Sequence, residues 1–339
     1  MEKESEFKMF NPDEYELVMK AFGPEGDKHY IIHNKTTDKY GLLYNKKSLE
    51  DQSYYSPYLI NTIGKKCGIN VPDVELGYYI INDIDQVIPL YSKSFFQSSL
   101  VYTDIDPYMR NRISHVSQEI VDSTYLSENP IAAQKRSDED RGRVQKINFK
   151  EYVESNLYYL LTRGTKPRQE YSRAEIDSIR QELVDRAMFG LKLGVKGKTN
   201  VDLLDHKNAK LSPYYLESRN MLLLGINNKW VESTLEESDE EFKKSMEREL
   251  PTQFGIPYNY IVPTSEELLE HIYETYPEQA EKSYNKLKSF SLEDLKSELD
   301  SYTDMDDTHK KMALRIFELK DREFEKVHEK QARNRIQGE

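Results

Sequence analysis

The stretch that most limits the possible folds runs over 185–216, DRAMFGLKLGVKGKTNVDLLDHKNAKLSPYYL. It opens on the end of a helix expected over 173–193. There Ile176, Ile179, Leu183, Ala187 and Leu191 fall near one stripe at helical spacing. A short loop follows, then a strand beginning near Asn200, then a second loop through Ser212, Pro213, Tyr214 and Tyr215. A helix of that length serves as the spine of a helical body.

With 339 residues the chain has room for one large domain or two ordinary ones. Tyrosine is over-used, 25 residues against 12 Phe and one Trp, so part of the core is expected to be rimmed by phenols that keep their hydroxyls paired. The formal net charge of −12 repels phosphate backbones and disfavours direct nucleic-acid binding. The single Cys67 excludes an intramolecular disulfide and a cysteine metal cage. A charged start, MEKESEFKMF, and the lack of any apolar run near ~18 residues point to a cytoplasmic protein with no membrane contact.

Along the chain, FGPEGDK (22–28) is a glycine turn built on Gly23, Pro24 and Gly26. KHYIIHN and KYGLLYN flank NKTTD and read as a hairpin. A glycine turn entering a strand brings backbone N–H groups to phosphate, and it is equally an ordinary loop. The helix YLINTIGKKC places Leu59, Ile60, Ile63 and Cys67 on one face, with Pro57 in its first turn and Gly68 as its stop. Strands are expected over 74–81 and 86–95. Residues 129–146 form a charged segment read as a solvated loop. Beyond a helix at 149–162, MLLLGI (221–226) reads as a buried strand or a helix start. Helical patterns then cover 238–249, 264–275, 277–301 with a break near Ser291, and 305–333. Thr264 with Glu267, and Ser291 with Asp294, are helix-start pairs. Met312, Ile316, Leu319 and Val327 line the last helix, either as core or as a surface for a partner helix.

The run Gly68-Ile69-Asn70-Val71-Pro72-Asp73-Val74-Glu75-Leu76-Gly77, the Lys93-Ser94-Phe95 strand end, Asn200 and the Ser212-Pro213-Tyr214-Tyr215 turn resemble the HipA-like Ser/Thr kinases of the CtkA type. The resemblance is carried by roughly 20–95 and 180–225. It implies an α+β, two-lobed kinase-like fold: a β-rich N-lobe with one helix (1–95), a connecting segment (96–148) and a helical C-lobe (149–339).

Phosphoryl transfer needs a Lys on the nucleotide phosphates, a Glu holding it, an Asp beside the acceptor hydroxyl, and an Asn and an Asp on Mg²⁺. In the family pattern the Lys position falls on Leu43, the Glu on Pro57, the base on Val195 and the second metal Asp on Leu216. Asn200 matches the metal-binding Asn. Gly23, Gly26 and Lys28 are the candidate nucleotide contacts. Asp202 shares a strand face with Asn200 and is the first candidate for a relocated metal ligand. Lys46, Asp205, His206 and Glu217 are further nearby candidates.

The resemblance with these replacements implies a pseudokinase that binds and regulates a protein partner, in a bacterial or phage toxin–antitoxin or mobile-element setting. The alternative is a divergent Ser/Thr kinase or nucleotidyl transferase using relocated acids with ATP and Mg²⁺. A third reading is an interaction module docking through the 305–333 helix.

Overall fold

The computed structural model describes residues 8–9, 11, 13–22, 28–37, 39–44, 55–71, 74–81, 84–91, 149–150, 153–154, 157–158, 161, 170–194, 203–205, 210–211, 228–249, 264–303 and 305–338. The described residues form an α+β structure. Six strands make one sheet: β1 (Lys8–Met9), β2 (Tyr15–Phe22), β3 (Lys28–Asn34), β4 (Lys39–Tyr44), β5 (Val74–Ile81) and β6 (Ile84–Tyr91), in the order β1-β5-β6-β4-β3-β2. Only the short β1 runs parallel to its neighbour, β5; the other pairs are antiparallel.

The expected hairpin is β3–β4. Its turn closes because the Asn34 side-chain oxygen accepts from the backbone N–H groups of Thr36 (3.0 Å) and Thr37 (2.8 Å), an Asx turn that replaces backbone pairing. The strand at 74–81 has the expected bounds, and its partner covers 84–91 rather than 86–95. β2 joins the sheet through β3, with a register shift between Leu17 and Met19. Across that pair His33 Nδ1 lies 2.9 Å from Glu16 Oε1.

One helix, α1 (Tyr55–Lys66), touches β5 and β6 among the described elements. Its apolar face is the one expected from spacing: Leu59, Ile60, Ile63 and Cys67 are all buried, and Tyr55 extends it. Gly68, at φ 67°, closes the helix in the left-handed region, and Ile69 N–H reaches back to the Gly64 carbonyl at 2.8 Å. Gly64 is packed against the chain leading into β5. A Cβ there would meet Val71 Cγ1 at 2.5 Å and its Cβ at 3.3 Å. Valine is stiff about χ1, so it has little room to yield.

The remaining described elements are mainly helices: α2 (Arg173–Lys192), α3 (Asn228–Leu235), α4 (Asp239–Glu249), α5 (Ser265–Thr275), α6 (Pro277–Leu287), α7 (Leu292–Ser301) and α8 (Asp307–Gly338), with a two-stranded sheet of β7 (Leu203–Asp205) and β8 (Lys210–Leu211). Residues 149, 150, 153, 154, 157, 158 and 161 are helical, as expected for that region. Reciprocal capping boxes start α2 (Ser172 with Glu175), α5 (Thr264 with Glu267) and α7 (Ser291 with Asp294). The break expected near Ser291 separates α6 from α7. Residues 221–226 lie outside the described residues.

Met312, Ile316, Leu319 and Val327 of α8 are all buried, together with Ala313, Phe317 and Phe324. Burial makes core packing the reading of that stripe. The buried residues of α1, the 149–161 segment and the helices form one contiguous hydrophobic core. No described helix is long and apolar enough to cross a membrane.

Candidate functional site

Leu43 lies in β4, between two neighbours. It pairs with Tyr30 of β3 and with Leu90 of β6, so the position expected to carry a phosphate-binding lysine is inside the sheet rather than at its margin. Pro57 is in the first turn of α1. Lys28 is the first residue of β3, paired with Phe22. Gly23, Gly26, Lys46, Lys47, Val195, Asn200, Asp202, His206, Leu216 and Glu217 lie outside the described residues. Asp205 ends β7, in register with Lys210 of β8.

The elements that bracket the 195–202 and 212–216 segments are in place. α2 ends at Lys192, and Leu193 and Gly194 keep hydrogen bonds to the carbonyls of Phe189 (3.1 Å) and Leu191 (3.2 Å). Gly194, at φ 58°, turns the chain out of the helix. β7 and β8 then form the antiparallel pair that carries the chain toward the second loop.

The direction of that exit depends on α2, whose second half is buried on nearly every face from Leu183 to Lys192. Three charged residues are buried with it. Asp185, 4% exposed, accepts from Ser283 Oγ (2.5 Å), Gln181 Nε2 (2.9 Å) and Lys286 Nζ (2.5 Å). Arg186, fully buried, donates to Glu182 Oε1 at 2.5 Å. Lys192, 4% exposed, donates to Asp321 Oδ1 (2.5 Å) and to the Leu287 carbonyl (3.2 Å), with its ammonium 5.0 Å from the centre of the Phe317 ring. Buried charges are tolerated only when paired in this way.

Both carboxylate oxygens of Asp185 are engaged, so it is held as an anchor between α2 and α6, not presented as a base. Asp185 ties α2 to α6, Lys192 ties it to α6 and α8, and Arg186 is paired within α2 itself. Spacing alone missed the roles of Asp185 and Lys192, because their partners on α6 and α8 are about a hundred residues away along the chain.

Among the described residues no group of three or more His, Cys, Asp or Glu side chains is placed to hold a metal ion. Cys67 is buried, and burial pushes its thiol up to about 11, with Lys192, Ser289 and Lys66 opposing that rise. Asp294 has the opposite displacement. Hydrogen bonds from Lys66 and from Ser291 hold its carboxyl down to about 2.

No protein-family model matches the chain, and no curated protein sequence matches it. Among solved structures, the crystal structure of a Helicobacter pylori proinflammatory kinase, CtkA, aligns over 97% of this chain and 97% of that one, with a TM-score of 0.53 at 12% identity. What is shared at that identity is the fold: the chain has a kinase-like α+β fold of the CtkA kind.

Proposed function

We propose that this chain is a pseudokinase: a two-lobed protein that keeps the kinase shape, has lost phosphoryl transfer, and acts by binding and regulating a protein partner in the cytoplasm. The observation that carries the reading is the identity of the residues at the polar positions of the fold. Leucine at 43, proline at 57, valine at 195 and leucine at 216 stand where a lysine, a glutamate and two aspartates are needed.

None of the four can pair with phosphate or coordinate Mg²⁺, which takes oxygen ligands, commonly one or two carboxylates plus phosphates. Within β4, KYGLLY, the lysine is Lys39 at the strand's start, and Leu43 is paired on both sides with apolar or aromatic residues. The residues at these positions do not fit ATP·Mg²⁺.

Asn200 and Asp202 favour a second reading, a divergent kinase or nucleotidyl transferase with relocated acids. The two readings separate on incorporation of label from γ- and α-labelled ATP into the protein itself and into proteins of its host. The pseudokinase reading expects none above background. Incorporation that disappears in both Asn200→Ala and Asp202→Ala would establish the second reading instead.

A further inference from the structure

α1 is tied to the helical body along its whole length. Near its start, the Tyr55 ring stacks on Tyr302, with centroids 4.9 Å apart and planes 20° apart, and Tyr58 meets Tyr302 edge-on at 5.6 Å. At its end, Lys66 Nζ is 2.5 Å from Asp294 Oδ1 and 5.6 Å from the Phe290 ring centre. The Lys66 carbonyl accepts from Ser289 Oγ at 3.3 Å. Just beyond, Asn70 Nδ2 donates to Glu182 Oε1 at 3.3 Å, the same oxygen that receives Arg186. Ser289, Phe290 and Asp294 belong to the elbow between α6 and α7 and to the first turn of α7. The same helix packs on β5 and β6, and Gly64 brings it against the chain entering β5.

We propose that the end of α1 is a latch. Its contacts with the α6–α7 elbow and with Glu182 hold the sheet at a fixed angle to the helical body, and the sheet moves only when that end is released. This goes beyond the pseudokinase reading, because it holds whether or not nucleotide binds. Asp294 stays ionised throughout the neutral range, so the Lys66 contact persists there. Its contribution is present above the ordinary carboxylate range and is lost as pH falls through about 2.

The chain contains its own reporter. Cys67, the only cysteine, is 3% exposed and directly follows Lys66. Release of the latch uncovers it, so its reaction rate with a disulfide reagent (Ellman's reagent, full chain, native buffer) measures opening. Lys66 is half-exposed, so Lys66→Gln is a mild change for folding. Removing the neighbouring positive charge by itself slows thiolate formation. A rise in rate therefore reports opening.

The expected result is a slow reaction in the native protein, about two- to fivefold faster in Lys66→Gln, and about tenfold faster when Asn70→Ala and Ser289→Ala are added. The opening should also depend on urea much more weakly than global unfolding does. Three outcomes overturn the latch: a native thiol that reacts as fast as in the unfolded chain, variants that leave the rate unchanged, or a urea dependence equal to that of global unfolding. Should the triple variant fail to fold, Lys66→Gln alone decides.

Discussion

Asp321→Ala should destabilise the fold by about 3–5 kcal/mol, the range found when one partner of a buried ion pair is removed. Lys192 is almost wholly buried, so its ammonium cannot turn to water once Asp321 is gone. It keeps the Leu287 carbonyl and the face of Phe317, which together are a poor substitute for a carboxylate. Asp321 is about one-third exposed, so the reverse change, Lys192→Met, leaves an anion that water can reach. It also replaces the buried stem with an apolar side chain that fills irregular space.

Lys192→Met alone should therefore cost clearly less, and the double variant should recover most of the loss caused by Asp321→Ala. Urea denaturation of all four proteins closes the cycle. Equal losses in the two single variants, with no recovery in the double, would show that the pair is solvated and that α2 is anchored some other way.

Asp185→Ala is expected to cost about 3 kcal/mol, and Asp185→Asn should rescue only part of it. The carboxylate receives three charge-assisted hydrogen bonds, one of them from an ammonium. In the alanine variant Ser283 redirects to the Gln279 carbonyl, already 2.9 Å away, and Lys286 turns toward solvent, which limits the loss. Asparagine keeps an acceptor oxygen for Ser283 and Gln181, but it removes the charge and sets an NH₂ donor toward the Lys286 ammonium. A loss under about 1 kcal/mol for alanine, or near-complete rescue by asparagine, would contradict an anchoring role for the charge itself.

Much of the fold was legible in the sequence where the determinants are local. The β3–β4 hairpin follows from two apolar runs around Asn34 and its turn. The helix starts at Ser265 and Leu292 follow from Thr264 with Glu267 and Ser291 with Asp294, because the capping hydrogen bonds span three residues. The burial of Leu59, Ile60, Ile63 and Cys67, and of the α8 stripe, follows from helical spacing.

Four described elements were not read: β1, β2, β8 and α3. In β2 the register shift between Leu17 and Met19 breaks the alternation that marks a strand, and Leu17 is left exposed. α3 is short and buries only Val231 and Thr234, too few positions to establish a period. The burial of Asp185, Arg186 and Lys192 was not read from the sequence. They are buried because α6 and α8 close over α2, a tertiary fact carried by residues about a hundred positions away.

The candidate site was legible as a set of substitutions rather than as a constellation. Leu43 and Pro57 fall in the elements expected for them, the sheet strand and the first helical turn. Val195, Asn200, Asp202 and Leu216 lie outside the described residues, so their reading stays with the sequence.

On the pseudokinase reading, the kinase-like shape lacks the groups that hold a nucleotide and its metal. Thermal unfolding with and without ATP and Mg²⁺ distinguishes a protein with those groups from one without them. A protein that bound ATP·Mg²⁺ at a hundred times Kd would gain about 2.7 kcal/mol, a rise in Tm of ~2 °C or more for a chain of this size. No Mg²⁺-dependent rise is expected at millimolar ATP. A reproducible rise that requires both ATP and Mg²⁺ and disappears in Asn200→Ala would contradict that reading.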